Sequence, residues 1–224
     1  GVYVTDFVNG LYYAANHGAD IIVMPVYFTT NYSSIQTAIQ TCYDSGCILV
    51  ACSGNLGSNS PTYPAAYDEV IAVGATNQSD VRLSTSNYGT YLDFVAPGDG
   101  IYAAALDDTY DSITGTSAAV AHVAGVIGLM LSIDSGLTQT EIVNVLQKKS
   151  VDLGTAGRDD EYGYGRIDAY AAVMGVKTPA RISPAHGDTV TTSQPTFVWN
   201  SVSGVSSYHL VVRQGSPTGT IVIN

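Results

Sequence analysis

Ser117 stands in the run Gly115-Thr116-Ser117-Ala118-Ala119-Val120-Ala121-His122-Val123-Ala124-Gly125, where a glycine-started turn meets a long apolar stretch. A serine at that junction presents its hydroxyl at a helix amino terminus. Unpaired N–H groups and the helix dipole there favour negative charge on a neighbouring oxygen, as attack on a carbonyl requires. A serine at a helix start is also the ordinary N-cap, so the run alone does not establish a nucleophile. Asn55 adds a second group. It follows Ala51-Cys52-Ser53-Gly54 at the carboxyl end of an apolar run, where its amide can donate to a developing oxyanion. Asn after Gly is equally an ordinary turn residue.

The elements that must position these groups are legible upstream. Residues 20–27 and 47–52 are continuous apolar runs of strand length. Between them Ile35, Ala38, Ile39 and Cys42 share one face of a helix, with Ser33 or Ser34 as its cap and Gly46 as its stop. An earlier helix starts at Asp6, carries Val8, Leu11, Tyr12 and Ala15 on its apolar face and stops at Gly18. Strand–helix–strand order predicts a right-handed crossover in a parallel sheet covered on both faces. Ligands of such sheets bind beyond the carboxyl ends of the strands, which directs attention to the loops after Tyr27 and Cys52. Further strands are predicted over 70–75, 92–96 and 101–105, and a buried helix over about 117–132. Thr138-Gln139-Thr140-Glu141 is a capping box opening a helix to about Lys149, and a short helix covers 167–174. From Thr189 the period becomes two, in Thr196-Phe197-Val198-Trp199 and Tyr208-His209-Leu210-Val211-Val212, the pattern of short antiparallel strands.

In this order and spacing the two segments resemble the subtilisin-like serine proteases, where Gly-Thr-Ser bears the nucleophile and an Ala-x-Gly-Asn type segment bears the oxyanion asparagine. The resemblance runs from about Val4 to Met174. It includes Tyr63-Pro64-Ala65, Val70-Ile71-Ala72-Val73-Gly74-Ala75, Leu92-Asp93-Phe94-Val95-Ala96-Pro97-Gly98 and Gly163-Tyr164-Gly165-Arg166-Ile167-Asp168-Ala169. It implies an α/β fold, a subtilisin-like parallel sheet covered by helices and incomplete at its amino end. It further implies Ser117 as nucleophile, Asn55 as oxyanion donor, and Pro25, Val26, Tyr27, Ser53, Gly54 and Thr116 as substrate-binding residues. The implied activity is serine endopeptidase hydrolysis of a protein or peptide, in a secreted or cell-surface parent. Residues 1–176 would be the carboxy-terminal portion of the peptidase domain. Residues 177–224, on Ser183-Pro184, Pro195-Thr196-Phe197-Val198-Trp199 and the 208–212 strand, resemble the start of a fibronectin type III or immunoglobulin-like module, a partial all-β sandwich with Trp199 in its core. The partner of that module is not named by the sequence.

The family's triad runs Asp, His, Ser, and the first two are missing. Asp44-Ser45-Gly46 and Asp134-Ser135-Gly136 sit at helix ends, where a glycine is the expected C-cap. No histidine lies between Asp44 and Ser117. His17-Gly18 lacks the following Thr, and His122, five residues down the nucleophile's own helix, reads as structural. The alternative serine-hydrolase order needs a Gly-x-Ser-x-Gly elbow, which is absent. The Asp and His are therefore expected upstream of Gly1, and the 224 residues alone are expected to be inactive. Pro25-Val26-Tyr27 occupies the place of the family's Ser-Leu-Gly. Pro25 has no N–H, and the rings of Tyr27 and Phe28 are expected to turn outward and line the groove. Ala118 and Ala121 replace the family's Met and Pro. The rival reading is a degenerate protease that grips extended peptides by strand addition, or a surface-targeted binding protein.

Composition sets outer bounds. A formal charge of −11 argues against a nucleic-acid binder. The charge is uneven: residues 1–176 carry 18 acidic and 5 basic side chains, residues 177–224 one and three, a shift that suggests a boundary near Lys177. No apolar run reaches the roughly 18–20 residues that span a bilayer, so no transmembrane segment is expected. Three cysteines, Cys42, Cys47 and Cys52, make no disulfide framework; buried free thiols and a Cys42–Cys47 bridge both remain open. No cofactor is required, no metal site is assigned, and structural calcium is left open without an oxygen-ligand run to support it. Asp107-Asp108-Asp111 and Asp159-Asp160-Glu161 read as solvated loops, and His186 and His209 as surface residues.

Overall fold

Strand β2 (Ile48–Cys52) is buried at every residue, because it lies between two strands and between two layers of helices. The structure, a computed structural model, describes residues 2–176, 181–183, 196–199, 212–214 and 220–223. Two units divide the chain, Gly1–Gly175 and Val176–Asn224. In the first, β1 (Ile21–Met24), β2, β3 (Ile71–Thr76) and β4 (Phe94–Pro97) form a parallel sheet in that order. Burial on both faces explains why β2 and β3 read as unbroken apolar runs instead of alternating ones.

The strands' two-residue period sorts their side chains between the layers. Met24, Leu49, Ala51 and Ala72 pack with Leu11 of α1 (Val4–Asn16) and Ile35, Ile39 and Cys42 of α2 (Ser33–Asp44). Ile48, Val50 and Cys52 alternate with these and so face the opposite side. There α3 (Thr116–Ile133) lies against all four strands, burying Ala119, Val120, Val123, Ile127 and Met130. Among the described residues α3 is the one helix long and apolar enough to cross a membrane, and its place against the sheet accounts for that composition.

Local signals were read with small displacements. The predicted capping box opens α4 (Gln139–Lys149): Thr138 Oγ1 accepts from Glu141 N, and Glu141 Oε2 accepts from Thr138 N at 2.9 Å. Asp6 does not cap α1; Tyr3 does, and Asp6 sits in the first turn, where a carboxylate still favours the helix dipole. Tyr32 caps α2, so Ser33 and Ser34 fall inside the helix. The last helix is α5 (Ala169–Val176). The strand over 101–105 is β5 (Ile101–Ala104), and it forms an antiparallel hairpin with an unforeseen β6 (Tyr110–Ile113). All three cysteines are buried free thiols, which removes the Cys42–Cys47 bridge.

One buried carboxyl couples this fold to pH. Asp93 Oδ2 accepts from Ala72 N at 2.8 Å. Burial pushes its pKa up to about 6, against the pull of that bond and of nearby Arg158. The folded chain thus holds this proton more tightly than an unfolded chain, whose carboxyl titrates near 3.8. The resulting contribution to stability is fully present below about pH 4 and is lost as pH rises through about 6. Asp93→Asn keeps an acceptor for Ala72 and abolishes the titration. Its melting temperature relative to wild type is expected to climb across that window; a difference that stays flat from pH 4 to 7 would show that Asp93 does not titrate there.

In the second unit β7 (Arg181–Ser183) pairs antiparallel with β8 (Val198–Trp199), and β9 (Val212–Gln214) with β10 (Thr220–Ile223). His186, His209 and most of the strand expected over 208–212 lie outside the described residues.

Candidate active site

The turn that delivers Ser117 is fixed from two directions. Gly115 N–H donates to Gly98 O at 2.7 Å, tying the turn to the end of β4. Gly115 has φ 142, and a Cβ there would come within 3.1 Å of Asn55 Oδ1. Only glycine meets both conditions without strain. From the other side, Asn55 Oδ1 accepts from Thr116 N at 2.9 Å and from Thr116 Oγ1 at 3.0 Å. A backbone N–H can only donate, so the oxygen end of the Asn55 amide must face Thr116. Its Nδ2 is thereby turned the other way, and no protein acceptor holds it among the described residues.

This arrangement places three groups together at the carboxyl end of the sheet. Ser117 Oγ lies in the first turn of α3 and donates to Pro25 O at 3.2 Å. The Ser117 N–H belongs to the first turn, where no intrahelical acceptor exists. Asn55 Nδ2 is the second free donor. Beneath them is Cys52, the last residue of β2. Burial raises its thiol above the ordinary range, outweighing the hydroxyls of Thr116 and Ser117, so it stays protonated and does not compete as a nucleophile.

No described histidine meets Ser117. His17 stacks on Tyr13, with ring centroids 3.9 Å apart, and its Nδ1 lies 2.8 Å from Tyr13 O. His122 Nδ1 lies 3.1 Å from Ala118 O on its own helix. Beside Ser117 an open apolar groove of about 590 Å³ follows α3 toward the hairpin, lined by Ala118, Ala121, His122, Ile101 and Leu129.

The expected substrate-facing residues divide. Pro25 is exposed, and Val26 and Tyr27 are half-buried on the segment leaving β1. Phe28, expected to turn outward with Tyr27, instead packs inward. It exchanges backbone bonds with Tyr63 at 2.7 and 2.8 Å, and its ring lies 5.4 Å from Phe7 and 6.0 Å from Tyr32. An apolar ring at the foot of α1 gains more from that layer than from solvent. Thr116 is buried behind Ser117. Ser53 is buried too, and its polar groups are engaged within the protein: Oγ donates to Asn87 O at 3.1 Å, and its carbonyl accepts from Thr62 Oγ1 at 2.6 Å and Tyr91 OH at 3.2 Å. Gly54 O accepts from Asn87 N at 2.9 Å. Asn87 was not singled out from the sequence, since Ser86-Asn87-Tyr88-Gly89 reads as an ordinary loop. The acidic run at 159–161 serves its own turn: Asp159 Oδ1 accepts from Glu161 N and Tyr162 N at 2.9 and 2.8 Å.

The family model described as "Subtilase family" matches residues 1–165. Thermitase of Thermoactinomyces vulgaris is 38% identical over 170 residues, covering 76% of this chain and 60% of that protein. The halolysin-like extracellular serine protease Nep of Natrialba magadii is 40% identical over 170 residues, covering 76% of this chain and 31% of Nep. The chain therefore spans less than two thirds of either relative. Among solved structures, the prenylagaramide maturation protease PagA superposes with a TM-score of 0.69 at 26% identity, over 78% of this chain and 68% of PagA. A lanthipeptide protease shares the fold with a TM-score of 0.70 at 23% identity, over 78% of this chain and 66% of that one.

Proposed function

The chain belongs to the subtilase family, and from that premise we propose that the intact protein is a serine endopeptidase acting through Ser117 and Asn55. Ser117 Oγ attacks a peptide carbonyl carbon and gives its proton to a histidine, which an aspartate orients. The carbonyl oxygen becomes an oxyanion held by Asn55 Nδ2 and the Ser117 N–H. The intermediate collapses to an acyl-enzyme on Ser117 Oγ as the C–N bond breaks and the same histidine protonates the leaving amine. A water that gives its proton to that histidine then attacks the acyl carbon, releasing the acid and restoring the serine. Histidine and aspartate are assigned to polypeptide upstream of Gly1. The observation that carries the reading is the double acceptance by Asn55 Oδ1 from Thr116, which couples the oxyanion donor to the residue before the nucleophile.

Pro25, Val26 and Tyr27 form one wall for an extended substrate, and Gly54 and Thr116 the other. Ser53 supports the second wall from within. No cofactor takes part in the chemistry. The names of two relatives, the extracellular proteases Nep and Epr, support a secreted or cell-surface location. Residues 177–224 are assigned to a β-module of fibronectin type III or immunoglobulin type appended to the peptidase.

The 224-residue chain by itself is expected to hydrolyse no peptide above background, since a serine without a base is a weak nucleophile. A generic fluorogenic peptide assay on the folded chain, with folding checked by circular dichroism, decides this. Turnover that disappears in Ser117→Ala would show that a base already lies within these residues.

A further inference from the structure

Asn87, from elsewhere in the chain, bonds the loop that carries Asn55 on both sides of that residue, through its side chain and its backbone. Asn87 is 0% exposed. Its N–H donates to Gly54 O at 2.9 Å, on the residue before Asn55. Its Oδ1 accepts from Leu56 N at 2.9 Å, on the residue after Asn55, and from Ser58 N at 3.2 Å. Its carbonyl accepts from Ser53 Oγ at 3.1 Å. Neighbouring pairs extend the seam: Gly57 N–H donates to Thr85 O at 2.7 Å and Tyr88 N–H to Ser58 O at 3.1 Å. Contact is close enough that a Cβ on Gly54 would meet Asn87 Nδ2 at 2.7 Å, at a residue with φ 100. Asn55 itself has no bond to Asn87, so the brace fixes the backbone on both sides and leaves the amide of Asn55 available.

We propose that Asn87 is a positioning residue for the oxyanion donor, clamping the backbone on either side of Asn55 so that Nδ2 is already in place when charge develops. This rests on the reading of Asn55 as that donor. Preorganisation is what such a donor contributes: a dipole fixed in advance costs no reorganisation in the transition state. A displacement of about 1 Å at a reacting centre can cost on the order of a hundredfold in rate. Among the described residues no acceptor of good geometry holds the buried Nδ2 of Asn87, so the clamp is made by its oxygen and its backbone.

The test is a kinetic cycle on the intact protein. Asn87→Ala is expected to lower kcat roughly ten- to a hundredfold with KM within about twofold, the pattern of an interaction expressed in the transition state. In an Asn55→Leu background the same substitution is expected to change kcat by less than about twofold, because the group it positions is already gone. Asn87→Asp keeps an oxygen for the Leu56 and Ser58 N–H groups, and at this fully buried position its carboxyl is expected to stay neutral, with an O–H in place of the amine. It is expected to stay within about threefold of wild type, and it carries the test if the alanine variant does not fold. Wild-type kcat in Asn87→Ala, an equal loss in both backgrounds, or an aspartate variant slowed by tenfold or more would each overturn the proposal. Failure of the oxyanion reading itself shows separately, as an unchanged kcat in Asn55→Leu alone.

Discussion

Ser117→Ala in the intact protein is expected to remove nearly all peptide hydrolysis. The hydroxyl is half-buried at the carboxyl end of the sheet, in the first turn of a helix, with the Ser117 N–H and Asn55 Nδ2 beside it, neither held by a protein acceptor among the described residues. Cys52 cannot substitute for it, since its thiol is fully buried and held protonated. The loss is expected to approach the roughly 10⁶ in kcat known for the nucleophile of subtilisin, with a residue of activity from binding and oxyanion stabilisation. Alanine at this position leaves the helix intact, because it is the best helix former and removes no helix-internal bond. Melting temperature should therefore barely move while turnover disappears. Steady-state kinetics with a fluorogenic peptide, beside a thermal melt, separates the two. Activity within tenfold of wild type would remove Ser117 from the chemistry.

Asn55→Leu is expected to lower kcat by roughly two to three powers of ten while KM changes little. The size is that known for subtilisin's own oxyanion asparagine, and the direction follows from the geometry of the amide. Asn55 Nδ2 is turned away from Thr116 because its oxygen is fixed there by two donors, so the amine is presented to whatever enters the site. A ground-state carbonyl gains little from a donor placed for a tetrahedral oxyanion, so binding is spared and the chemical step is slowed. A raised KM with unchanged kcat would mean that Asn55 only holds substrate.

The segments carrying Ser117 and Asn55 could be singled out because each is a local pattern: a glycine-opened helix start and an asparagine closing an apolar strand. The parallel sheet was legible for the same reason, since burial on both faces leaves continuous apolar runs such as Ile48–Cys52. What could not be read depends on partners distant in sequence. Asn87 reaches Leu56, Ser58 and Ser53 across 31, 29 and 34 residues, and nothing in Ser86-Asn87-Tyr88-Gly89 announces that its side chain is buried. Phe28 was assigned to the cleft by its place after Tyr27, but its ring is claimed by Phe7 on α1. Strand β6 was missed because Tyr110–Ile113 is exposed throughout and shows no apolar alternation. The caps of α1 and α2 were misplaced because Tyr3 and Tyr32 have no side-chain capping group and so carry no signal.

The central claim, that this chain holds the nucleophile and oxyanion half of a protease whose base lies elsewhere in the polypeptide, is tested most directly by covalent labelling. A fluorophosphonate reacts when an activated serine Oγ attacks phosphorus and displaces fluoride, and tryptic mass spectrometry then locates the adduct. In the intact protein the adduct is predicted on Ser117, and it should vanish in Ser117→Ala; the folded 224-residue chain alone should remain unlabelled. An intact protein left unlabelled at Ser117, or a 224-residue chain labelled there as readily as the intact protein, would contradict the account.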